Sequence, residues 1–148
     1  MADYNRPMPA YRLRHADWTR DRDALRAVRM EVFVEEQGVP EELEWDEFDA
    51  GSVHVLAEDE AGNPIGTGRL LADGHVGRMA VLAAHRGQGI GAAMLTWLIG
   101  QARHRGMREL LLHAQTHAEL FYNRQGFERT DDPFMEAGIL HCLMRRAL

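Results

Sequence analysis

The chain has 148 residues, 45% hydrophobic and 27% charged, a balance that excludes disorder, a fibre or a coiled coil and suffices for one domain with a buried core. A net charge of −6, with no basic run beyond Arg145-Arg146 and no apolar run near the ~18 residues of a membrane span, leads us to expect neither nucleic acid nor membrane as a partner. The one cysteine, Cys142, excludes an internal disulfide and the Cys pairs of a structural zinc site, so a reducing cytoplasm and metal-free chemistry are expected.

In chain order, Tyr11 to His15 alternates like a short strand, and Asp21 is placed to cap a helix whose Leu25, Val28, Val32 and Phe33 share a face. That helix should stop near Gly38-Val39-Pro40. The next nine residues, Glu41 to Asp49, include six acids and read as an irregular or edge-like segment. Val53 to Glu58, Ile65 to Ala72 and His75 to Leu82 read as an antiparallel meander joined at Gly62-Asn63-Pro64 and Asp73-Gly74. A helix from Ala92 to Arg103, ended by Gly106, carries Leu95, Leu98, Ile99 and Ala102 at helical spacing. Leu110 to Ala114 reads as a buried strand, His117 to Arg124 as a short helix stopped by Gly126, and Ile139 to Arg146 as a last strand. The order βαβββαβαβ predicts an α+β layered domain spanning 1–148, with helices on a mixed sheet.

The chemistry concentrates in Arg86-Gly87-Gln88-Gly89-Ile90-Gly91, three glycines between a strand and a helix. Glycine permits a tight turn and close approach of a ligand to the main chain, and the free N–H groups and positive dipole end of a helix favour an anion such as a pyrophosphate. A nucleotide-hydrolysing P-loop is excluded, because Ile90-Gly91-Ala92 supplies neither its lysine nor its hydroxyl. A dinucleotide-binding fingerprint fits poorly: its ribose-binding acid should end the next strand, whereas Glu109 precedes it.

Preceded by Met79-Ala80-Val81, the loop resembles the acetyl-CoA motif of the GCN5-related N-acetyltransferase (GNAT) superfamily. A second block of that superfamily, a small residue, Phe-Tyr, a short gap and Gly-Phe, is matched by Ala118 to Phe127. Val28-Arg29 through Phe33-Val34, Glu36-Gln37, Val39-Pro40 and Glu44-Trp45-Asp46 resemble a small bacterial subgroup, so the likeness covers nearly the whole chain. It implies a mostly antiparallel sheet with two strands splayed apart to receive acetyl-CoA, and transfer of an acetyl group to a primary amine of a small molecule or peptide by direct attack.

By the same resemblance, main-chain groups of Met79, Ala80 and Val81 would hold the pantetheine arm and polarise the thioester carbonyl. Arg86, Gly87, Gln88, Gly89, Ile90, Gly91 and Asn123 would hold the rest of the cofactor, and Tyr122 stands at the family position of the acid that meets the departing thiolate. An amine must attack unprotonated although its pKa is near 10.4, so a base is needed. His113, at the end of a strand where the two strands should part, is one candidate, with Glu44 or Asp46 acting through water as others. Trp45 and Asp46 are expected at the acceptor pocket, Phe48 as a further cover, and the acidic segment as a lure for a cationic amine. Arg29 and Arg69 are placed to pair with Asp46 or Asp49 and fix that segment beside the sheet. Cys142 reads as a buried, inert thiol. Two other readings stand beside the acetyltransferase: an acyltransferase like the acyl-homoserine-lactone synthases, whose charged framework the segments Arg29 to Phe33 and Asp46 to Asp49, with Arg69, resemble, and a non-catalytic CoA-binding module. A homodimer through an exposed terminal strand is a further expectation.

Overall fold

The computed structural model describes residues 10–148. Strands β1 (Tyr11–Ala16), β2 (Val53–Asp59), β3 (Pro64–Leu70), β4 (His75–Val81), β5 (Glu109–Gln115), β6 (Glu128–Arg129), β7 (Phe134–Glu136) and β8 (Ile139–Ala147) form one sheet in the order β1-β2-β3-β4-β5-β8-β6, with β7 also on β8. Every pairing is antiparallel except β4 with β5. This is the mostly antiparallel α+β sheet that the sequence predicts, with β2, β3 and β4 as the meander. The Asp59 carboxylate accepts the main-chain N–H groups of Ala61 and Asn63 and so shapes the first of its turns.

Helix α3 (Ile90–His104) buries Ile90, Met94, Leu95, Leu98, Ile99 and Ala102 against one face of the sheet. Each large aliphatic chain withdrawn from water contributes about 1.5–3 kcal/mol. Gly106 closes α3 at φ +76°, with the Met107 N–H returning to the Ala102 carbonyl. The opposite face is covered by α1 (Arg22–Arg29) and its continuation, where Leu25 packs on Leu56 and Ala16, and Val28 and Val32 on Ala80. Both layers rest on β3, which is buried from Ile65 to Leu70. Gly68 on β3 admits that packing: a Cβ there would lie 2.5 Å from the Met79 sulfur.

Several local readings are corrected. The helix after Asp21 does not stay α: from Met30 to Glu36 it runs as a π-helix, closed by the Gln37 N–H on the Val32 carbonyl, and just past its end the Val39 N–H returns to the Phe33 carbonyl. Asp21 makes no side-chain cap, because its carboxylate is taken by the Arg14 guanidinium and the Asp17 N–H. The acidic segment contains one helical turn, α2 (Glu41–Glu44), and pairs with no strand. Two short strands, β6 and β7, precede β8 and pair with it, in addition to the elements that the sequence predicts. The last strand is not an exposed edge, since β8 lies between β5 and the β6 and β7 segments, whereas β1 stands at the edge of the sheet and, among the described residues, pairs only with β2. Among the described residues no helix is long and apolar enough to cross a membrane.

Candidate active site

The site begins with one extra residue in β4. Opposite β3, Thr67 pairs with Ala80 but Arg69 with Gly77, so β4 carries a bulge, and Arg78 takes up the surplus at φ +50°. Beyond it β4 leaves β5: the two pair only at His75 with Leu111 and Val76 with Leu112. Leu82 N–H bonds to the Ile65 carbonyl on the β3 side. Alternation along the strand therefore turns the main-chain N–H groups of Val81 and Met79 into the gap.

Below the gap lies a cleft of about 950 Å³, lined by Met79, Ala80, Val81, the glycine loop, the π-helix and α4 (Glu119–Arg124). Gly89 stands at the N-cap of α3 with φ +79° and no side-chain cap, so the first N–H groups of the helix face the cleft without protein partners. Gly87 is also left-handed, at φ +82°, and a Cβ built on either glycine meets nothing within 4 Å. The conformation requires glycine, and the open space above it suits a ligand phosphate. Arg86 does not face that space freely: its guanidinium binds both Glu36 oxygens at 2.6 Å, and its Nε donates to the Val81 carbonyl at 2.9 Å. Gly87, Gly89, Ile90, Gly91 and Tyr122 line the cleft, whereas Gln88 and Asn123 are exposed and lie outside its lining.

A second cavity of about 430 Å³ adjoins the first, and Met79, Gln115 and Tyr122 line both. Burial pushes the Tyr122 hydroxyl up to about 12, so the phenol is an O–H donor throughout the physiological range. At the same junction Gln115 donates to Gln37 at 2.8 Å, and its amide oxygen meets His117 Nε2 at 2.8 Å. His113 lines the second cavity with its Nδ1 3.0 Å from Glu136 on β7, a hydrogen bond that raises the histidine above its ordinary value.

The acidic segment forms one wall of that cavity through Glu44, and it is held by arginines. Arg29 binds Glu44 at 2.8 Å and Asp49 at 2.6 Å, Arg69 binds Asp46 at 2.7 Å and Asp49 at 2.9 Å, and Arg78 reaches Glu44 and Asp46, each at 3.2 Å. The pairing expected of Arg29 and Arg69 is present. Burial opposes ionisation of Asp46 and Asp49, but their arginine partners outweigh it and hold both carboxyls below the ordinary range. At Glu44 burial wins over Arg78 and Arg29, and the carboxyl is pushed up. Three arginines neutralise three acids, so Glu44, Asp46 and Asp49 offer little net attraction to a cationic amine. Trp45 is stacked beneath the Arg26 and Arg29 guanidinium groups at 4.5 and 4.9 Å, and neither it nor Asp46 lines either cavity. Phe48 is 53% exposed and covers nothing.

Strands that part above an uncapped, glycine-rich helix start are the architecture implied by the motif likeness, and the acetyltransferase (GNAT) domain family matches residues 20–148. The chain belongs to the GNAT superfamily. It is an acyltransferase by that membership, and its relatives agree. The uncharacterized N-acetyltransferase YjcF of Bacillus subtilis (strain 168) is 38% identical over 123 residues, covering 80% of this chain and 87% of its own. An acyl-CoA N-acyltransferase from Pseudomonas aeruginosa shares 32% identity at a TM-score of 0.80, over 93% of this chain and 98% of that one. N-acetylglutamate synthase from Neisseria gonorrhoeae, solved with coenzyme A and N-acetyl-glutamate, shares the fold at 20% identity and a TM-score of 0.70, over 93% of this chain and 35% of that one.

In this GNAT chain the fold brings Glu36 and Gln37, part of the subgroup likeness, to the cleft beside residues that the motifs do not name. Gln115 and His117 close the junction, and Glu136 and His141 stand beside His113. The one local signal for the last pair is Glu136-Ala137-Gly138-Ile139, a two-residue hairpin whose glycine occupies a left-handed position.

Proposed function

We propose that the protein transfers an acetyl group from acetyl-CoA to a primary amine on a small molecule by direct attack. The observation that carries this reading is the parting of β4 and β5 above the uncapped start of α3, beside Tyr122. The N–H groups of Gly89, Ile90 and Gly91 would hold the diphosphate, and those of Met79 and Val81 the pantetheine arm, as a strand is held at a sheet edge. Acetyl-CoA supplies the activated thioester. Arg86, engaged by Glu36 and Val81, braces the loop rather than contacting phosphate. Gln88 and Asn123 are left with peripheral roles at most. The coenzyme A complex of the Neisseria synthase adds support for a CoA ligand in this fold.

Tyr122 serves as a hydrogen-bond donor to the departing sulfur. Burial pushes its hydroxyl up to about 12, so the phenol keeps its proton in the resting site and meets the forming thiolate as an O–H donor. Of the candidate bases, His113 fits better than Glu44, whose carboxylate is committed to Arg29 and Arg78. Asp46 and Trp45 support the cavity wall and do not touch substrate. A 430 Å³ acceptor cavity with Phe33, Val39 and Ile139 in its lining suits a compact, partly apolar amine. The Arg29, Arg69, Asp46 and Asp49 cluster lies outside both cavities, so it gives the acyl-homoserine-lactone reading no substrate contact.

Release of free thiol from acetyl-CoA across a panel of primary amines, run beside thermal shift with acetyl-CoA alone, tests the proposal. Amine-dependent thiol release is expected; a thermal shift with no thiol release for any amine would favour the non-catalytic module. Tyr122→Phe should lower kcat about 10²-fold while leaving the acetyl-CoA shift in place.

A further inference from the structure

His113 is more than a histidine near a cavity. Its ring is fixed on three sides: the Glu136 carboxylate at 3.0 Å, the Phe134 ring edge-on at 5.2 Å, and the His75 ring edge-on at 5.9 Å. Glu136 and Phe134 are delivered by one structural device. The two-residue turn at Ala137 and Gly138, with φ +51° and +77°, folds β7 back on β8 so that Glu136 pairs with Ile139 and Phe134 with His141. The second Glu136 oxygen lies 3.7 Å from His141 Nε2, while His141 Nδ1 faces the Ile139 carbonyl at 2.7 Å. A carbonyl only accepts, so His141 carries its proton on Nδ1 and serves as a packed wall, stacked on Phe134 at 6.2 Å.

We propose that Glu136 is a positioning residue for deprotonation of the acceptor amine: by accepting the Nδ1–H of His113 it fixes the tautomer whose Nε2 lone pair serves the second cavity. The inference rests on the acetyltransferase reading and deepens it. An ionised carboxylate cannot donate, so the proton between the two groups sits on Nδ1 and the neutral ring must present Nε2 as base. His113 Nε2 then takes the proton that the amine nitrogen sheds as its bond to the acetyl carbon forms, and the carbon–sulfur bond breaks with its electron pair leaving on sulfur. Glu136 stabilises the resulting imidazolium without itself taking up a proton.

The other titratable or charged groups about the ring are His141 on β8, His75 and Arg78 on β4 and Glu44 on α2, the last two paired with each other. The His113 hydrogen bond, with Arg78 adding to its pull, holds Glu136 ionised. The geometry therefore makes Glu136 the dominant partner of His113. The Glu136 side chain is 47% exposed, so replacing it does not open the core.

The test is Glu136→Gln, which keeps shape and an accepting oxygen but removes the charge, read first by NMR titration of the His113 ring in the protein without substrate. The His113 midpoint should move to lower pH, because the imidazolium loses its counter-charge. The acid limb of kcat/KM for the amine should move the same way, with kcat lower by about tenfold and the acetyl-CoA thermal shift unchanged. His113→Gln should remove that limb altogether. An unmoved His113 midpoint overturns the pairing whatever the acceptor; a moved midpoint with an unmoved acid limb overturns the role in deprotonation. Wild-type protein that transfers to no amine, yet shows the midpoint shift on substitution, overturns the acetyltransferase reading and leaves the pairing intact.

Discussion

The two cavities that meet at Tyr122 are built from different materials. The larger is made from main chain: an uncapped helix start, glycines held left-handed, and a strand edge turned into a gap. The smaller is made from side chains held by other side chains, with His113 on Glu136 and the acidic wall on Arg29, Arg69 and Arg78. Main-chain donors of this kind suit the parts that all CoA thioesters share. A side-chain wall depends on partners brought from several elements, so its shape is set by which residues meet there rather than by the course of one strand.

Breaking the side-chain wall should have the largest effect. Asp49 is 1% exposed and joins two buried arginines, so Asp49→Ala leaves two guanidinium groups short of a partner and should cost about 3–5 kcal/mol, a fall in Tm of about 10 °C by calorimetry. The same ion pairs set a pH limit. Because the folded Asp49 carboxyl lies below its ordinary value, its contribution is complete above about pH 4 and is lost on further acidification, so the gap between wild type and Asp49→Ala should narrow there. Next in size, Gly89→Val should abolish the acetyl-CoA thermal shift, because a β-branched residue resists φ +79° and its side chain fills the ligand's space. An unaltered shift would remove the loop from the donor site. The smallest effect belongs to Glu36→Gln: with both partners more than 40% exposed, the Arg86 pair should contribute under about 1 kcal/mol to Tm, while the unbraced loop raises KM for acetyl-CoA severalfold.

The same contrast explains what could be read from the chain. The glycine loop and the Phe-Tyr block are contiguous strings whose spacing is itself the geometry, and the meander follows from alternation and turn residues. The His113–Glu136 pair joins residues 23 apart through a turn with alanine at positive φ, a conformation that its sequence hardly announces. The Gln37–Gln115 bond spans 78 residues. Asp21 had the composition of a cap but a competing arginine, Arg14, close in space. The π-helix is equally silent, since Val28 and Val32 satisfy an α-helical spacing whether or not the following turn widens. Trp45 and Asp46 belong to the acidic arm, but their direction, toward Arg26, Arg29 and Arg69 and away from the cavities, depends on partners elsewhere in the chain.

The missing hydrogen bonds between β4 and β5 also bear on solubility. A strand with unsatisfied amides is a template for any extended chain, and proteins commonly defend such edges with charges, bulges or short length. Here the vulnerable edge is enclosed within the body of the protein, walled by the π-helix on one side and α4 on the other. What would be an aggregation hazard at the rim of the sheet becomes, in its interior, a slot that admits only a slender guest.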